Sequence, residues 1–85
     1  MNPRISGVAY LSNHLLRLRF TNGELKVFDL KPYLHYPIFQ ALVDEAFCQR
    51  VSLFNGTIKW DDSIDFDPDT LYLESVPAEK VIMNG

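Results

Sequence analysis

Two Asn-Gly dipeptides, Asn22-Gly23 and Asn55-Gly56, constrain the fold of this chain more than any other feature. Asn-Gly is the strongest short-range signal for a two-residue type I′ hairpin loop. Both residues tolerate positive φ, and the turn's twist matches that of the strands it joins. Each dipeptide sits between short runs that alternate apolar and polar residues, the period of a half-buried strand. A two-residue loop at Asn22-Gly23 sets Phe20 opposite Leu25, Arg19 opposite Lys26 and Leu18 opposite Val27. Paired residues share a sheet face. Leu16, Leu18, Phe20, Leu25 and Val27 then form an apolar side, and Arg17, Arg19 and Lys26 a basic one. The same loop at Asn55-Gly56 pairs Leu53 with Ile58 and Val51 with Trp60, while Ser52, Thr57 and Lys59 point away. Residues 5–11 read as a further strand that turns through Ser12-Asn13, with Ile5, Gly7, Ala9 and Leu11 on the apolar side.

Between the hairpins the spacing predicts a helix. Pro37 suits its first position, where a missing N–H leaves nothing unpaired. Ile38, Phe39, Leu42, Val43, Ala46 and Phe47 follow at helical intervals as one stripe. A second helix starts at Asp67-Pro68, with Asp67 as its cap and Pro68 in its first turn, and stops near Ser75 because Pro77 follows. The element order is βββαββα. This is an α+β fold, an antiparallel sheet of two hairpin or meander units with one helix packed on the apolar face and a short C-terminal helix. Residues 1–77 are expected to form a single domain, and residues 78–85 a tail, frayed or an edge strand through Val81, Ile82 and Met83.

Composition narrows the function. A net charge of −3 and a pI near 5.1 disfavour bulk attraction to nucleic acid or anionic membrane. No apolar run reaches the roughly 18 residues that a membrane span needs, and the N-terminus does not read as a signal peptide. A single cysteine, Cys48, rules out an internal disulfide and fits a reducing compartment, so a cytoplasmic protein is expected.

No catalytic set stands out. Cys48, at the end of an apolar stripe, reads as a small buried hydrophobe. His14 and His35 show no metal-ligand spacing with it. Asp65-Phe66-Asp67-Pro68-Asp69 resembles the start of a calcium loop, but Thr70 stands where the sharp turn needs Gly and Val76 where a bidentate Glu belongs. Neither a cofactor nor a metal is therefore expected. Residues 1–35 hold five basic and two acidic groups, whereas residues 61–79 hold seven acidic groups and no basic one. Arg17, Arg19 and Lys26, with Lys59 nearby and Phe28 opposite Arg17 as a stacking platform, are the candidate contacts of one sign. Asp61, Asp62 and Asp65 are those of the other.

The ordered motifs resemble a known family. Phe20-Thr21-Asn22-Gly23-Glu24, Val27-Phe28-Asp29-Leu30, Phe47, Gly56-Thr57-Ile58-Lys59-Trp60 and Asp65-Phe66-Asp67-Pro68-Asp69-Thr70-Leu71-Tyr72 together are similar to the bacterial family catalogued as domain of unknown function 2442. One departure is visible at Asp61-Asp62-Ser63, where that family usually carries an Asn-Gly-like turn. The resemblance implies an α+β fold without an established activity. Through relatives, it also implies either a sensor or dimerisation module ahead of a helix-turn-helix unit, or an antitoxin-like protein. With the chain ending at Gly85, regulation is expected to act through association. The expected function is a non-enzymatic regulatory module that binds a protein partner or itself, through the Arg17/Arg19/Lys26 face, the acidic edge and the apolar tail. The alternative is nucleic-acid binding through the basic sheet face; a hydrolase or transferase lacks a nucleophile–base pair and a phosphate loop.

Overall fold

The computed structural model describes residues 2–61 and 64–80. Among them are seven strands: β1 (Ile5–Tyr10), β2 (Leu15–Phe20), β3 (Leu25–Asp29), β4 (Ser52–Phe54), β5 (Thr57–Asp61), β6 (Ile64–Asp65) and β7 (Val76–Pro77). Two short helices, α1 (Glu45–Cys48) and α2 (Pro68–Glu74), and 3-10 segments at Lys31–Tyr33, Pro37–Val43 and Ala78–Lys80 complete the fold. It is α+β. The strands form two antiparallel sheets, in the orders β1-β2-β3-β7 and β4-β5-β6. The two-residue strands β6 and β7 leave no periodic trace in the sequence. The tail residues Val81, Ile82 and Met83 lie outside the described residues.

The β2–β3 register differs by one residue from the sequence expectation, and the turn is the reason. Leu16 pairs with Phe28, Arg17 with Val27, Leu18 with Lys26 and Arg19 with Leu25. The loop holds three residues, with Gly23 N donating to Phe20 O and Phe20 N to Glu24 O, both at 2.9 Å. Gly23 alone takes positive φ, +92°. Asn22 instead uses its side chain, whose Oδ1 accepts from Glu24 N and whose Nδ2 donates to the Glu24 carboxylate. A three-residue loop ending in left-handed Gly is the next commonest hairpin after the primed turns. Because side chains alternate, a slip of one residue exchanges the faces of β3. Lys26 and Phe28 turn to the core side, and Leu25 and Val27 to the other.

A second irregularity lies in β1. Ile5 pairs with Phe20 as expected, but a bulge follows and Gly7 meets Arg19, Val8 meets Leu18 and Tyr10 meets Leu16. Val8 and Tyr10, rather than Gly7 and Ala9, therefore face the core. The turn sits at Asn13-His14, both at positive φ, one residue later than expected. The hairpin at Asn55-Gly56 does follow the two-residue reading, with φ of +47° and +79° and Leu53 opposite Ile58. Gly56 is favoured twice over, by its positive φ of +79° and by the 3.2 Å that would separate a Cβ there from Arg4 Cβ. Its carbonyl receives Ile5 N at 2.9 Å, linking the two sheets.

The first helix is not one continuous α-helix. Pro37–Val43 is a 3-10 segment, and Asp44 breaks the chain in an extended conformation before capping α1 through Ala46 N. An Asp side chain that bonds a nearby amide competes with helix continuation. With three residues per turn, Phe39 and Leu42 share the inward side, while Ile38 and Val43 are exposed. The expected stripe dissolves accordingly. The second helix matches expectation: Asp67 accepts from Thr70 N, Pro68 opens the helix and it ends before Ser75.

One core joins both sheets. Leu16, Leu18 and Phe20 from β2, Phe28 and Leu30, then Leu42, Cys48, Ile58, Trp60, Phe66 and Leu71 are all buried in it. Trp60 Nε1 donates to Cys48 O at 2.7 Å, tying α1 to β5.

Candidate functional site

The residues most available for recognition form an aromatic groove. Its floor is built on Phe66, in the segment between β6 and α2. The Phe39 ring lies parallel on it at 4.6 Å and Tyr33 stands edge-on at 5.4 Å. Tyr33 also stacks on Phe28, and Trp60 supports Phe66 from beneath. Each such pair adds roughly 0.5–1.5 kcal/mol beyond buried area, so the floor is held before any ligand arrives. Prolines shape the near wall. Pro32 sets the 3-10 turn under Tyr33, and Pro37 forces Tyr36 into an extended conformation (φ −75°, ψ 135°) that opens the next segment.

On the far side stand Asp65, Asp67 and Thr70. The groove has a volume of about 620 Å³. Tyr36 is 47% and Ile38 60% exposed on its lip, a large apolar surface left to solvent. Asp67 serves two purposes: its Oδ2 accepts from Thr70 N and Oγ1, at 3.2 and 3.3 Å, while its carboxylate charge lies on the rim. Burial, and then the neighbouring Glu74 and Tyr36, push the Tyr33 phenol above its ordinary range, so it stays a neutral donor.

The basic face is smaller than the sequence suggests. Arg17 and Arg19 are exposed on the outer side of β2. Lys26 is not with them; its Nζ donates to Tyr72 O at 2.7 Å and lies 3.9 Å from the Tyr72 ring centroid, on the core side. Phe28, expected opposite Arg17, pairs with Leu16 and is buried. Lys59 belongs to the second sheet, above the Phe54 ring at 4.3 Å. Around Lys26 a polar cluster closes: Tyr72 Oη donates to Glu24 Oε1 at 2.6 Å, and Asn22 Nδ2 to the same oxygen. These two bonds hold the Glu24 carboxyl below its usual range and the Glu24 bond raises the Tyr72 phenol.

The acidic residues divide in a similar way. Asp61 Oδ1 accepts from Ile64 N, joining the end of β5 to the start of β6. Asp62 lies outside the described residues. Asp65 reaches the groove. Asn55-Gly56 forms a two-residue turn, Asp67 and Pro68 open α2, Asn22-Gly23 lies in a three-residue loop instead of the expected two-residue turn, and Trp60 lies in β5 with its Nε1 bonded to Cys48 O.

The remaining candidates are packed. Cys48 is fully buried, and burial, with Glu45 adding, pushes its thiol up to about 11, far from a reactive thiolate. His14 Nε2 lies 2.9 Å from Leu42 O, pinning the β1–β2 turn to the 3-10 segment. The groove is hidden in the sequence because the spacing places Phe39 in a helical stripe, far along the chain from Phe66. The available signal was the density of rings between Pro32 and Phe39 and the Asp65-Phe66-Asp67 alternation.

The architecture defines a small α+β protein of two linked antiparallel sheets, carrying an open aromatic groove with a carboxylate rim. A family model matches residues 5–77, from the first residue of β1 to the last of β7, and the chain belongs to that family, DUF2442, described as a protein of unknown function. No curated protein and no solved structure matches the chain. Among the described residues no helix is long and apolar enough to cross a membrane.

Proposed function

We propose that this protein is a non-enzymatic interaction module that holds an extended segment of a partner protein in the aromatic groove, with a basic side chain of that segment against Asp65 and Asp67. The carrying observation is the groove itself: a volume of about 620 Å³ over a pre-stacked floor, with Tyr36 and Ile38 left exposed on its lip. Flat ring faces beside prolines suit extended peptides, whose backbone needs no partner ladder there. The carboxylates favour Arg or Lys over an acidic residue, and an arginine would also gain from the ring faces. A regulatory, antitoxin-like role is consistent with a module that acts by occupying a partner.

The test is photo-crosslinking in cells of the source organism, with p-benzoylphenylalanine in place of Ile38 and, as a control, of Ser12 on the β1–β2 turn. The expected result is one discrete adduct at Ile38, mapped by mass spectrometry to a partner segment carrying Arg or Lys and reduced by Asp65→Lys. Equal labelling at Ser12, or an adduct indifferent to Asp65→Lys, would refute the reading.

A further inference from the structure

Among the described residues four strands end a sheet, and three of them are protected. β7 has two residues and ends in Pro77, β6 has two and carries Asp65, and β4 has three. Short length, proline and charge are the usual means of keeping an edge from pairing with another chain. β1 has none of these: it runs six residues, Ile-Ser-Gly-Val-Ala-Tyr, with neither charge nor proline.

The ladder shows which of its groups are free. Leu11 N donates to Leu15 O, so by alternation Ala9 also bonds β2, and the N–H and C=O of Val8 and Tyr10 point out of the sheet. Near the start of the strand the outward N–H, that of Ile5, is taken by Gly56 O. For Val8 and Tyr10 no backbone partner occurs among the described residues.

The face beside this edge has a sign. The bulge at the start of β1 brings Gly7 and Ala9 to the outer side, opposite Arg19 and Arg17. Gly7, Ala9, Arg17, Arg19 and Leu25 surround a shallow cavity of about 190 Å³. An added strand would lie roughly 10 Å from β2, two strand spacings away. The small side chains between leave the arginines room to extend across β1 toward it. Arg17 and Arg19 are two residues apart on one face, matching carboxylates at alternate positions of the added strand.

We infer that the open edge of β1 accepts a strand from an acidic partner segment, bonding it through Val8 and Tyr10 while Arg17 and Arg19 pair with carboxylates at positions i and i+2. A second copy of this chain is the poorer occupant. β1 paired with β1 would bring four arginines to one face and offer no carboxylate in return. This surface is separate from the aromatic groove and does not depend on it.

The experiment uses the full chain, labelled with ¹⁵N, and two capped hexapeptides that alternate valine with glutamate or valine with lysine. Saturating glutamate peptide is expected to slow amide exchange at Val8 and Tyr10 at least tenfold, and the lysine peptide to leave it unchanged. The double variant Arg17→Glu, Arg19→Glu, both at exposed positions, is expected to lose the glutamate peptide at least tenfold and to gain the lysine one. Binding without protection of Val8 and Tyr10, or equal binding of both peptides, overturns the inference. So does a free protein that is already dimeric with those two amides protected, since a second copy would then be the occupant.

Discussion

Replacing Lys26 by Met separates the observed register from the one a two-residue turn would have imposed. In the structure Lys26 is 9% exposed, pairs with Leu18 and donates to Tyr72 O at 2.7 Å above the Tyr72 ring. Methionine keeps the stem and its packing while removing the ammonium. A hydrogen bond from a charged donor contributes about 1.5–3 kcal/mol, and a partly desolvated cation–π contact about 1 kcal/mol. Two effects work against this. Tyr72 O keeps a second donor in Ser75 Oγ at 3.2 Å, so no carbonyl is orphaned, and the ammonium no longer has to be desolvated. The net loss should be about 1–2 kcal/mol. Arg19→Met, at an exposed position on the other face, should change stability by less than about 0.5 kcal/mol. Urea unfolding followed by Trp60 fluorescence measures both, with unchanged slope showing that only stability moved. Had Lys26 stood beside Arg17 and Arg19, the two substitutions would behave alike. Equal effects, or a Lys26→Met protein as stable as the parent, would refute the placement.

Other substitutions test the remaining joints. Trp60→Phe removes the donor to Cys48 O in the core and should cost about 1–3 kcal/mol in urea unfolding followed by far-UV circular dichroism, since the variant lacks the chain's single tryptophan. Gly56→Ala meets both positive φ and Arg4 Cβ at 3.2 Å, whereas Gly23→Ala meets only positive φ, so Gly56→Ala should be the more damaging in thermal unfolding. Cys48, fully buried with its thiol raised to about 11, should react with a maleimide only at the rate of opening, and labelling should accelerate in urea. Glu24 and Glu45 have carboxyls lowered from 4.5 by bonds from Tyr72 and Tyr10 respectively. A depressed acid stabilises the fold above its unfolded value and loses that contribution as pH falls through the folded one. The urea midpoint should therefore decline below about pH 4.5, and Tyr10→Phe with Tyr72→Phe should flatten that decline.

What the sequence made legible was local chemistry with a single outcome. Asp67-Pro68 caps and opens a helix through groups next to each other in the chain, and Asn55-Gly56 closes a two-residue turn. Asn22-Gly23 is different because the same dipeptide serves two loops. It closes a two-residue turn when Asn takes positive φ. It closes a three-residue loop when Asn22 bonds Glu24 with its side chain and leaves the left-handed position to Gly23. Glu24, which Asn22 bonds in that loop, is also bonded by Tyr72, forty-eight residues away, a contact that no local pattern contains. The break at Asp44 and the bulge in β1 are of the same kind. The groove was the least visible feature, since Tyr33, Phe39 and Phe66 become neighbours only after the two sheets meet.

The register at that one loop also decides the charge map. If Lys26 stood outside, a three-residue basic face spread over two strands would resemble a phosphate-binding surface. With Lys26 drawn inward by Tyr72, what remains is two arginines on a single strand, next to Gly7 and Ala9 and an edge where Val8 and Tyr10 have no backbone partner among the described residues. Two cations at a spacing of two residues beside an open strand match a strand better than they match a nucleic-acid backbone. They can reward an alternating acidic segment, and they leave nonspecific attraction to phosphate weak in a chain whose net charge is −3. The same inward turn of β3 brings Phe28 beneath Tyr33 and Phe66, where it supports the groove floor. The one-residue difference in loop length thus shapes both surfaces at once, taking a cation from the sheet face and placing a ring beneath the groove.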